Sequence, residues 1–159
     1  MRIERFAVLA TTLLLVTLAL SVAVRAADQH SGTWKMNPAR STYYPGPAAK
    51  SVTVKIDSDE NSFTVNAEGT DGVGNPTHVQ YSAKFDGKDY PVTGVSGVDT
   101  VSVKRIDTNT VESTLKRDGQ AVMTVRSTVS EDGKTRTSIF KGKDAQGRNV
   151  NNVVVYDKQ

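Results

Sequence analysis

The chain of 159 residues contains no cysteine. That excludes disulfides, thiolate metal sites, thiol nucleophiles and redox switching, and leaves any fold to be held by its core and hydrogen-bonded ladder alone. Tryptophan occurs once, at Trp34, and histidine twice, at His30 and His78. Two histidines, one of them near the expected start of the mature chain, do not make a zinc triad, and no metal or other cofactor is expected. Beyond residue 30 no apolar stripe recurs at a period of 3.6, so no helix longer than about two turns is expected. No excess of one charge marks a phosphate-neutralising face, which argues against a nucleic-acid partner.

The one long apolar run spans residues 6–24. Arg2 and Arg5 precede it, and Val24-Arg25-Ala26-Ala27 follows with small residues in a cleavage pattern. This is the layout of a secretory signal peptide. The alternative is an uncleaved anchor, because the run approaches the length of a spanning helix. The expectation is removal of 1–26, leaving 27–159 as a single domain, secreted or periplasmic, with no stable membrane insertion. Losing Arg2, Arg5, Arg25 and Glu4 takes the net charge from +3 to +1, so the basic balance belongs largely to the leader.

After the leader, residues alternate. Val52, Val54 and Ile56 alternate with Ser51, Thr53 and Lys55; Val79, Tyr81, Ala83 and Phe85 alternate with His78, Gln80, Ser82 and Lys84. That is the period of a strand with one buried face. Asp86-Gly87, Asp118-Gly119 and Asp132-Gly133 separate such runs. Asp-Gly is expected to supply positive φ at both central positions of a tight hairpin. Strands are predicted at 32–36, 50–57, 62–69, 77–85, 89–93, 98–106, 110–117, 120–130, 135–142 and 149–157. Short turns between ten strands predict an all-β, antiparallel up-and-down barrel, since an open sheet of that size exposes edges and an apolar face. A two-sheet sandwich is the alternative, and the short turns argue against its crossovers. One connection, 37–49, is long; Asn37-Pro38 suggests a single helical turn, and Tyr43 and Tyr44 lie where such a loop would cover a barrel mouth.

Gly32-Thr33-Trp34 at the first strand resembles the Gly-x-Trp motif of the lipocalin and fatty-acid-binding (calycin) barrels. Gly32-Thr33-Trp34-Lys35-Met36 is similar to the start of the fatty-acid-binding proteins, and Val154-Val155-Tyr156-Asp157-Lys158 to their end. From Gly32 to Lys158 the layout also resembles small exported lipocalin-like proteins of bacteria. The resemblance implies a lipocalin-like barrel with Gly32 and Trp34 as its structural motif, and a late arginine packed over the tryptophan; Arg126, Arg136 and Arg148 are candidates. Two features depart from it. Pro45-Gly46-Pro47 is incompatible with the helical lid of the fatty-acid binders. Their Arg-x-Tyr, which holds a ligand carboxylate, is met only at Tyr156, with Val154 at the arginine position, so a neutral or weakly polar ligand is expected.

Other constellations read blandly. Asp57, Asp59, Asn61 and Glu68 match four calcium-loop positions, but Ser62 stands where glycine is needed and strands flank the loop, so a hairpin turn is expected. Ser96 lacks the spacing of a nucleophile elbow and is expected in a flexible glycine loop. Lys104-Arg105 and Lys116-Arg117 suggest a mixed-charge surface. No catalytic residue is assigned and no enzymatic activity is expected. The expected function is binding or transport of a small apolar or amphipathic molecule by a monomer, with Tyr43, Tyr44 and Tyr156 as ligand-binding residues. The alternative is an envelope or secreted interaction module, an inhibitor or assembly factor, with a solid core. A continuous apolar cavity would favour the first, and a filled interior the second.

Overall fold

The computed structural model describes residues 28–159; the expected leader, 1–26, lies outside them. Ten strands follow in order: β1 (Gly32–Met36), β2 (Ser51–Ser58), β3 (Ser62–Thr70), β4 (Pro76–Lys84), β5 (Tyr90–Thr93), β6 (Thr100–Arg105), β7 (Thr110–Arg117), β8 (Gln120–Val129), β9 (Thr135–Lys143) and β10 (Asn149–Lys158). Each pairs antiparallel with its sequence neighbour, and β10 pairs with β1, closing the barrel. The expected strands are all present, with ends displaced by at most two residues. Inward-facing apolar residues meet in one core that includes Trp34, Val54, Ile56, Phe63, Val101, Val103, Val111 and Val129.

The Asp-Gly turns differ among themselves. Only Asp118-Gly119 has positive φ at both positions, 49° and 75°, as a two-residue hairpin requires. Gly87 and Gly133 have positive φ but Asp86 and Asp132 do not. There the aspartate carboxylate accepts a backbone N–H two residues on, from Lys88 and Lys134 respectively. Each glycine lies within a five-residue loop, 85–89 or 130–134, instead of sharing a two-residue turn.

The 37–49 connection also departs from a free loop. Pro38–Arg40 forms one 3₁₀ turn, but Asn37 does not cap it; its side chain donates to Asp157 instead. Thr42 then exchanges backbone hydrogen bonds with Val153, and Asn151 N–H donates to Tyr44 O. The segment 42–44 thus continues β1 along β10 and adds to the wall.

The two ends of the barrel are unlike. At one, where the 58–62, 84–90, 105–110 and 129–135 turns gather, residues 28–31 cross beneath the strands. Trp34 Nε1 donates to His30 O at 2.8 Å, Ser31 Oγ donates to Ser58 O, and Asp28 pairs with Arg105. His30 is fully buried with its ring edge-on to Phe63. The cation over the Trp34 ring is Lys158, with Nζ 5.0 Å from the centroid, and not an arginine. Arg126 pairs with Glu112 and Arg148 with Asp144 on the outside. The other end, ringed by residues 37–50, 71–75, 94–99, 118–119 and 144–148, is the mouth.

Candidate functional site: the barrel lumen

Between the plugged floor and the mouth lies a cavity of about 410 Å³, a volume typical of small-molecule sites. Strand alternation decides its lining, because every second residue of each strand points inward. Val54, Val65, Ala67, Val79, Leu115, Met123, Val125, Phe140 and Val154 form apolar walls. Towards the mouth the lining includes Tyr43, Ala49, Thr77, Ser96 and Asn152. Towards the floor it turns polar, with Arg136, Tyr156, Tyr81, Ser113, Ser127 and Ser138.

The floor cluster follows from register. Arg136 on β9 stands directly opposite Tyr156 on β10, and Ser138 opposite Ser127 on β8. The two serine hydroxyls are 2.8 Å apart, and the Tyr81 hydroxyl is 3.5 Å from Ser113 Oγ. Arg136 Cζ lies 5.9 Å from the Tyr156 ring centroid. Only 7% of Arg136 is exposed, and its Nε is enclosed without a hydrogen-bond partner. Among the described residues no carboxylate pairs with it. Burial pushes its guanidinium below the ordinary value, partly opposed by the Tyr156 and Tyr81 hydroxyls. Burial also pushes the Tyr156 hydroxyl up to about 12, again partly opposed by Arg136. Tyr156 therefore stays a neutral donor and Arg136 a cation at neutral pH.

The tyrosines named from sequence separate. Tyr156 is buried at the floor. Tyr43 lines the cavity, and its hydroxyl donates to Met36 Sδ at 3.0 Å. Tyr44, the next residue of an extended segment, points the other way and is 66% exposed, as alternation requires. Trp34 lies outside the cavity lining, in the plug. Asp59 accepts the backbone N–H groups of Asn61 and Ser62 in a hairpin turn, and among the described residues no cluster of His, Asp or Glu is suited to a metal ion. His78 lies on the outside beside Glu68, at 3.7 Å.

Arg136 was named from sequence only as one of three candidates to cover Trp34, and its place in the lumen was not foreseen. The signal is present in β9. Its inward row is Arg136, Ser138 and Phe140, while Ile139 faces out, so polar and apolar parities are exchanged over the first half of the strand. The expectation of a neutral ligand rested on the missing β10 arginine. Arg136 brings a guanidinium against Tyr156 from the neighbouring strand and removes that premise. The closed ten-stranded barrel is compatible with a calycin-like architecture; the sequence itself matches no protein-family model, and no curated protein is significantly similar to it.

Proposed function

We propose that this protein is a non-enzymatic carrier that encloses one small amphipathic molecule, and that it works as a monomer in the periplasm or outside the cell. One observation carries this reading: a largely apolar cavity of about 410 Å³ that runs from the mouth down to a polar floor. It weighs against the solid-core interaction module. The ten described strands close on themselves and leave no terminal strand free for a second chain to extend, in keeping with a monomer. The periplasmic or extracellular placement is supported by the charged start, the apolar run at 6–24 and the small residues that follow it. Tyr43 and Tyr156 are the expected contacts, an aromatic body against hydrocarbon with a hydroxyl for a polar group; Tyr44, facing out, is not among them.

The test is a titration of the delipidated protein with N-phenyl-1-naphthylamine, a neutral dye that brightens in apolar surroundings. Micromolar binding is expected, weakened by Tyr43→Ala and unchanged by Tyr44→Ala. Native mass spectrometry of protein from its own host should find a small molecule bound. No dye binding together with no co-purifying molecule would overturn the carrier reading.

A further inference from the structure

We infer that the ligand is an anionic amphiphile held head-down, with its acid group on Arg136 at the floor of the barrel and its hydrocarbon towards the mouth. This rests on the carrier reading above and gives it a substrate class.

The inference starts from the cost of Arg136. A buried cation without a counter-charge is strongly unfavourable. Lysine or histidine would escape by losing a proton; arginine does not. Arg136 is 7% exposed, its Nε has no partner, and no acid pairs with it among the described residues. Nor does it serve as the missing partner of a buried carboxylate elsewhere: Asp28 has Arg105, and Glu112 has Arg126. The hydroxyls of Tyr81, Tyr156, Ser113, Ser127 and Ser138 share this floor. Hydroxyls donate as readily as they accept. A guanidinium beside such donors suits an anionic group that presents several acceptor oxygens, a carboxylate or a phosphate monoester. The walls above are apolar, so the rest of the molecule is hydrocarbon. Polarity runs from floor to wall along single strands: Ser127, Val125 and Met123 on β8, and Arg136, Ser138 and Phe140 on β9. The order fixes the orientation, acid group deep and tail outward.

The experiment displaces N-phenyl-1-naphthylamine from the delipidated protein with three amphiphiles of equal chain length: dodecanoate, dodecyl phosphate and dodecanamide. At least one anion is expected to bind at least about tenfold tighter than the amide, the effect of a charge-assisted hydrogen bond. Which anion prevails identifies the acid group. Arg136→Gln should erase that preference, read within the variant as the ratio of anion to amide affinity, and Arg136→Lys should retain part of it. Ligand-free Arg136→Met should unfold at equal or higher urea than the parent, because a buried charge is removed; an arginine present for structure alone predicts the opposite. Amide binding as tight as both anions in the parent protein overturns the inference without needing any variant. So does an anion preference that survives in Arg136→Gln. In both cases dye binding leaves the carrier reading standing, whereas failure of the dye and all three amphiphiles removes both.

Discussion

His30 is a buried imidazole whose burial, with Arg136 and Arg105 nearby, lowers its pKa from 6.5 to about 4, Asp28 opposing. Its folded value lies below its unfolded one, so between those limits the unfolded chain binds a proton that the fold does not. Stability is therefore full above pH 6.5, falls as pH falls through the window, and is on the order of 3 kcal/mol lower below it. Urea midpoints measured across that range should show the slope, and His30→Gln should flatten it. The turn carboxylates act lower. Asp71, held below 3.8 chiefly by the Asn75 backbone N–H, contributes stability lost only at still more acid pH. Next to His30, Trp34 is fully buried in the plug, so its emission should be blue-shifted and resist acrylamide. Trp34→Ala should cost about 3–5 kcal/mol in urea unfolding, as large core truncations do. Trp34 was legible as a structural residue because Gly32-Thr33-Trp34 at the first strand resembles the Gly-x-Trp motif. The burial of His30 was not, because what covers it comes from Phe63, thirty-three residues on.

At the scale of elements, the hairpin at Asp118-Gly119 offers a clean measurement. A Cβ at Gly119 would meet nothing within 4 Å, so only its φ of 75° resists substitution. Gly119→Val should destabilise by about 1–2 kcal/mol, and an unchanged urea midpoint would mean the turn relaxes freely. The strands themselves were legible to within two residues, because period-two alternation and Gly-containing turns are local properties. What was hidden is whatever depends on partners far along the chain. The alternation of β9 exchanges parity where Arg136 and Ser138 face the lumen, and hydrophobicity alone assigns such residues to the outside. The segment 42–44 reads as loop because its strand-like pairing is with β10, over one hundred residues away. The candidate site was thus half visible. Tyr43 and Tyr156 could be named from position, whereas Arg136 required register.

At the scale of the molecule, closure joins the two most distant strands. β1 is flanked by β2 and β10, and Met36 stands opposite Tyr156. Removing residues 149–159 would leave β1 and β9 each with an unpaired edge, the kind of edge that recruits other chains. The truncated protein should elute as oligomers or aggregates in size exclusion, and a well-folded monomer would show that closure is dispensable. The seam has a consequence in time as well. A ring shut by its first and last strands has no complete state until β10 has left the ribosome, and contacts of such sequence separation form slowly. Until then β1 waits with one side unmatched, and the chain remains a thread that can still pass through a narrow pore. The barrel is therefore the last thing this chain can finish, and that delay is written into the order of its strands.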